Sequence, residues 1–319
     1  MTTHSMTPGE RVRAALAGEA VDRVPLCFWH HFKPEGSGER LAEMTMEFFR
    51  EKFDLDIVKI MPDLPYPEPQ PAITEAAQWR SLPRLGLDTP SFQQQLLCVR
   101  QLRARLGSDF PLILTLFSPL TYTFRFIGKA KAIEHARSDP ESFEQGLATL
   151  AANLRELVGA AIQAGASGIF FSCMGATNID LTGEEYARFG RPYDLQVLEN
   201  AQAGGLNIVH VHADPTQEGD VLYFDEFLDY PVAAISWSDR LTGPTLEEAL
   251  TMTDKCLMGG LAERGPLVHG GEVELDNEIM SAVTQTKGRR LILANGCSVP
   301  DDTPEKWLYT ARRLVDELR

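Results

Sequence analysis

Eight short apolar runs punctuate the chain, at residues 24–32, 56–63, 111–119, 167–175, 207–214, 233–240, 255–261 and 290–297. Each is apolar over four or more positions and ends in polar residues or glycine, the pattern of parallel strands covered on both faces. Between them, apolar residues recur at spacings of three and four over 140–165, 183–203, 245–253 and 303–318, which predicts amphipathic helices. Gly165 reads as a C-terminal stop, and Thr182-Gly183-Glu184-Glu185 and Asp302-Thr303-Pro304-Glu305 read as helix caps. Alternation of eight strands with helices predicts an α/β protein of the (β/α)8 TIM-barrel class, with a doubly wound sheet as the alternative. No Gly-x-Gly-x-x-Gly or Walker-type loop follows any of the runs, so dinucleotide and P-loop readings have no support. Neither a repeat nor a linker divides the chain. The proline-rich stretch 62–71 reads as a βα loop, and residues 1–319 are expected to form a single barrel domain.

Charge narrows the function classes. Lys and Arg number 30 against 45 Asp and Glu, a formal net charge of −15, which disfavours nucleic acid and anionic membrane surfaces as partners. The chain has no apolar run of membrane-spanning length and no apolar core of signal-peptide type in its first twenty residues, so a cytoplasmic protein is expected. Cys27, Cys98, Cys173, Cys256 and Cys297 are odd in number and scattered, without a CxxC pair. A disulfide framework is therefore not expected, and a special cysteine would be a thiolate ligand or nucleophile.

In a barrel, polar residues at the C-terminal ends of strands carry the chemistry. Those ends present Trp29, His30 and His31; Lys59 and Asp63; Ser118 and Tyr122; Cys173 and Asn178; His210, His212 and Asp214; Trp237, Asp239 and Arg240; and Asn295 and Cys297. His210 and His212 are two apart on a strand, so both point to one face. With Cys297 they form a donor set of two nitrogens and one sulfur, suited to zinc, with Cys173, Asp239 or His269 as candidate fourth ligands. The plainer alternative is that the histidines hydrogen-bond substrate or backbone while Cys297 packs as a small apolar group. Lys59 lies inside the apolar run IVKIM and needs an anionic partner; Asp63, four residues on and on the same face, is expected to pair with it or to hold substrate jointly. Only one of His30 and His31 can face the interior. Tyr186, Arg188, Arg191 and Tyr193 follow the fourth run on a helical segment where surface and packing roles compete with catalysis; Tyr193 is retained as a candidate catalytic group. Trp29, Tyr122, Asn178, Trp237, Asp239 and Arg240 are candidate substrate contacts, although Asp239 and Arg240 also suit a structural salt bridge.

The chain resembles the uroporphyrinogen decarboxylase superfamily, which also contains cobalamin-dependent and coenzyme M methyltransferases. The resemblance runs over almost the whole chain. It is carried by 8–18 (PGERVRAALAG) with Asp22-Arg23-Val24-Pro25, by 55–63 (LDIVKIMPD), by 116–121 (LFSPLT), and by 295–300 (NGCSVP) with Thr303-Pro304. It implies a (β/α)8 barrel, often dimeric, and favours His31 over His30 as the interior residue. The decarboxylases have an arginine-rich stretch after the first strand, which 28–36 (FWHHFKPEG) lacks, while Asp63 falls on their catalytic aspartate. The methyltransferase branch has a zinc site of a His-x-Cys pair after the fifth strand and a Cys after the eighth. His210 and Cys297 match it, and His212 replaces the middle cysteine.

The resulting expectation is a small-molecule enzyme performing methyl transfer or demethylation at zinc held by His210, His212 and Cys297. Lys59 and Arg240 would grip an anionic group, His31 or Asp63 would handle protons, and any corrinoid would ride on a separate protein. One alternative is decarboxylation of uroporphyrinogen or another aromatic acid by Asp63 without a cofactor. Another is a non-catalytic barrel that binds a ligand or a corrinoid protein.

Overall fold

The computed structural model describes residues 5–214, 217 and 219–318. Its eight strands are β1 (Leu26–Cys27), β2 (Val58–Ile60), β3 (Leu112–Phe117), β4 (Gly168–Cys173), β5 (Ile208–Val211), β6 (Ala234–Ser236), β7 (Cys256–Leu261) and β8 (Leu291–Asn295). All pairings are parallel, in the order β1-β8-β7-β6-β5-β4-β3-β2, with helices between the strands. The fold is a (β/α)8 barrel. Where β1 meets β2 the ladder thins to single links: Asp56 donates its backbone N–H to the Leu26 carbonyl (3.0 Å) and accepts the Leu26 N–H on its carboxylate (2.9 Å).

That carboxylate anchors the foot of the barrel. Helix Pro8–Ala17, capped by Thr7 and Glu10, delivers Arg11, whose Nη1 lies 2.6 Å from Asp56 Oδ1. Arg23 Nη1 lies 2.6 Å from Asp56 Oδ2, and Arg11 Nε lies 2.7 Å from Asp22 Oδ1. Burial alone would raise the Asp22 pKa, but its hydrogen bond to Arg11 and two backbone N–H groups hold it at about 2. The segments 8–18 and 22–25 thus serve to seat the N-terminal helix under the sheet.

Strands are shorter than the apolar runs that contain them, because in every run but that of β7 the last residues belong to the βα loops, and most runs also begin before their strand. The apolar periodicity of 183–203 spans two helices, Gly183–Phe189 and Arg191–Glu199. Pro192 lacks the N–H a continuous helix needs, and a Cβ at Gly190 would lie 2.5 Å from the Tyr186 ring, so the chain turns there. The capping box at Thr182 and Glu185 forms. The one expected at 302–305 does not, and helix Glu305–Glu317 starts after Pro304 with no side-chain cap. Among the described residues no helix is long and apolar enough to cross a membrane.

Candidate active site

The strand ends enclose a cavity of about 540 Å³. Its apolar walls include Trp29 from the end of β1, Met61 after β2, Phe117 from β3 and Phe170 from β4. Most of its polar side chains come from β1, β2, β5 and the loops that follow them, and from the loop after β8.

His210, His212 and Cys297 converge on one point. One ligand atom from each lies within 4.8 Å of the others, and Cys297 Sγ is 3.8 Å from His212 Nδ1. Ligands on a tetrahedral zinc stand about 3.5 Å apart, so small side-chain adjustments would close the set. His210 is 1% exposed, and neither ring nitrogen has a partner in hydrogen-bonding geometry; the backbone of Ser236 acts on it only from outside that geometry. A buried imidazole with no partner is costly unless something else occupies its nitrogen. Burial, His212 and Lys59 push His210 well below the ordinary histidine range, and burial lowers His212 as well, leaving both rings as neutral donors. Burial raises the Cys297 thiol, and nearby Glu263 adds to the rise. Two neutral imidazoles and one thiol make a donor set that fits zinc.

Asn295, at the end of β8, sets the position of Cys297. Its Oδ1 accepts the Trp29 N–H (3.1 Å), and its Nδ2 donates to the Cys297 carbonyl. Gly296 lets this loop approach its neighbour, for a Cβ there would lie 2.6 Å from the Ser238 Cα.

Lys59 points into the cavity from β2, 1% exposed. It does not pair with Asp63 as the spacing suggested. Its Nζ lies 4.3 Å from the Phe170 ring centre, 4.7 Å from that of Trp29, and 3.2 Å from Met61 Sδ. Burial lowers its pKa to about 8, with only weak opposition from Cys27, Cys297 and Asp63. Asp63 is held elsewhere: its Oδ1 lies 2.6 Å from His31 Nδ1 and its Oδ2 accepts the Phe32 N–H at 2.6 Å. His31 lines the cavity, whereas His30 stacks on Phe48, ring centres 5.2 Å apart.

Other expected site residues lie away from this cavity. Arg240 spends its guanidinium inside the protein, on the Gly260 carbonyl (2.9 Å), Ser281 Oγ (3.1 Å) and the Glu278 carbonyl (2.7 Å), so it cannot grip substrate there. Asp239 accepts the Gly260 N–H at 2.8 Å, and burial pushes it up to about 6. Trp237 is wholly buried, donating Nε1–H to the Pro244 carbonyl. Asn178 bridges to Gly219 and Val221 and fixes a loop. Tyr193 sits half-buried on helix Arg191–Glu199, outside the cavity, its phenol raised to about 12 by burial. Tyr122 lines a neighbouring chamber. Neither Cys173, which donates to Asp194 Oδ2 (3.6 Å), nor Asp239, nor the exposed His269 joins the three-residue cluster.

Residues 52–318 match the uroporphyrinogen decarboxylase (URO-D) family. The chain belongs to that family. Among solved structures, a methyltransferase from Methanosarcina mazei is similar over 98% of this chain and 99% of its own, with a TM-score of 0.75 and 16% identity. A putative vitamin-B12-independent methionine synthase from Listeria monocytogenes is similar over 88% of this chain and 86% of its own (TM-score 0.56, 12% identity). A B12-independent methionine synthase from Shewanella sp. W3-18-1, solved with selenomethionine, is similar over 70% and 65% (TM-score 0.53, 12% identity). No curated protein matches the chain.

Within this uroporphyrinogen decarboxylase-family barrel, the residues that sequence reasoning passed over include two aromatic rings and an arginine. Phe170 and Phe117 read as core in the sequence, and both line the cavity. Arg125, on helix Pro119–Ile127 after β3, also reaches the cavity. A lone arginine on an amphipathic helix gives no sequence signal that would single it out.

Proposed function

We infer that the protein is a small-molecule enzyme that transfers or removes a methyl group at the His210–His212–Cys297 cluster. The observation that carries this reading is the buried His210, whose ring nitrogens have no partner in hydrogen-bonding geometry, beside a second neutral histidine and a cysteine at the wall of the cavity. The barrel shared with the Methanosarcina mazei methyltransferase and the methionine synthases supports it. Zinc held by His210, His212 and Cys297 would supply a lowered pKa for a bound thiol, making thiolate available at neutral pH.

The chain's own residues do the rest. Lys59 places a buried ammonium where an anionic substrate group can meet it, in surroundings that offer no competing carboxylate at ion-pair distance among the described residues. Trp29 and Phe170 exclude water from that contact and strengthen it. Asp63, fixed by the Phe32 N–H, orients His31 through Nδ1, so the pair can hold or return a proton at the cavity wall. A corrinoid, where one takes part, would be presented by a separate protein.

Family membership and the seating of Asp63 also favour a second reading, decarboxylation of an aromatic acid with Asp63 stabilising the protonated substrate. The two separate in one anaerobic experiment. Zinc-supplemented protein is mixed with methylcobalamin and a panel of small thiols, and the cobalamin spectrum is followed. Demethylation that disappears in Cys297→Ala supports methyl transfer. An unchanged spectrum across the panel, together with carbon dioxide release from aromatic acids by metal-free protein, would replace it with the second reading.

A further inference from the structure

A second chamber of about 330 Å³ adjoins the first, and the two share Pro62, Pro65, Phe117 and Arg125 in their walls. The second chamber is aromatic. Tyr66 and Tyr122 lie 4.8 Å apart between ring centres, and Phe126 stands 6.0 Å from each. Such faces receive a planar unsaturated group by offset stacking or edge contacts. The hydroxyl of Tyr66 accepts from Asn153 Nδ2 at 2.8 Å, which fixes the ring.

Arg125 stands where the chambers meet. Its guanidinium rests over the Phe117 ring, 4.5 Å from the centre, and no carboxylate among the described residues lies at ion-pair distance from it. By contrast, the surface arginines Arg13, Arg84, Arg137, Arg188 and Arg313 each meet an acid. An arginine parked on a ring keeps its planar fork free for an oxyanion while losing little side-chain entropy on engaging it. Glu68 also lines the second chamber. One cation facing one nearby acid suits a monoanion better than a phosphate dianion.

We propose that the second chamber is a subsite for the distal arm of the ligand, and that this arm is an aromatic carboxylate whose ring lies among Tyr66, Tyr122 and Phe126 and whose carboxylate is held by Arg125. The proposal rests on the methyl-transfer reading only in placing the reacting end of the ligand near His210. The remote arm then contributes binding and orientation without touching the reacting atoms.

Calorimetric titration of the whole protein with 2-naphthoate, and with neutral 2-naphthalenemethanol for comparison, tests it. Arg125 is exposed, so Arg125→Gln leaves the fold intact. It is expected to weaken 2-naphthoate about tenfold, the equivalent of about 1.4 kcal/mol, and to leave the alcohol unchanged. Phe126→Trp, which fills the chamber, should weaken both probes, and His212→Ala should change neither. The proposal is overturned by absence of 2-naphthoate binding to the wild type, by equal affinity in Arg125→Gln, or by loss in Lys59→Met with retention in Arg125→Gln, which would put the anion in the first chamber. Naphthoate binding of the expected pattern in a protein that transfers no methyl group would remove the methyl-transfer reading and leave the subsite standing.

Discussion

Asp56, just before β2, and Lys59, within it, stand three residues apart, each 1% exposed, and the protein surrounds them in opposite ways. Asp56, at the barrel foot, is saturated by Arg11, Arg23 and the Leu26 N–H. Lys59, nearer the mouth, meets two aromatic faces and a thioether. A buried charge with a full set of partners holds structure together. One left to ring faces costs stability and is available to a ligand. The same contrast separates two groups at the mouth. Trp237, Asp239 and Arg240 are tied to backbone and look inward, whereas His210 has no ring partner in hydrogen-bonding geometry and faces a cavity together with His212 and Cys297.

Changes at the foot and mouth should therefore differ in size and in sign. Asp56→Asn leaves Arg11 and Arg23 facing an uncharged group, and denaturant unfolding should show a loss of about 3–5 kcal/mol. A loss under about 1 kcal/mol would erase the distinction between foot and mouth. Lys59→Met should stabilise the protein at neutral pH, and its advantage should shrink as pH rises. The folded-state pKa of Lys59, about 8, lies below the ordinary lysine value of 10.5. The unfolded chain therefore binds more protons between those values, so wild-type stability climbs relative to the variant by about 3 kcal/mol across that window. A pH-independent difference would mean that Lys59 already has an anionic partner. Arg240→Ala, which removes three hydrogen bonds, should cost about 1–3 kcal/mol without altering ligand binding. A change in ligand affinity at unchanged stability would return Arg240 to the site. Tyr193→Phe should shift stability by less than about 0.5 kcal/mol and leave turnover alone; a large loss of turnover would connect its helix to the chemistry.

Much of this was legible in the order of apolar runs. Eight runs separated by helical periodicity are enough for the barrel, because parallel strands buried on both faces leave a recognisable signature. His210 and His212 share a face in the sequence by simple alternation, and they share it in the structure. What periodicity cannot convey is which polar residues at the strand ends already have partners. Asp239 and Arg240 look as promising in the sequence as His210, and only the carbonyls and N–H groups of β7 and helix Glu272–Thr286 distinguish them. Lys59 and Asp63 fall on one face by spacing, yet the loop after β1 brings His31 and the Phe32 N–H to Asp63 first. Phe170 and Arg125 were missed for a related reason, since an aromatic residue in a strand and an arginine on a helix have the same sequence appearance whether or not a cavity opens beside them.

The mouth's shortage of partners at His210 is the central claim, and zinc content tests it most directly. Protein purified without a histidine tag, saturated with zinc and then desalted, should retain about one zinc per chain by elemental analysis, while His210→Ala and Cys297→Ala retain none. Wild-type protein that holds no zinc after loading, or variants that hold as much as the wild type, would contradict it.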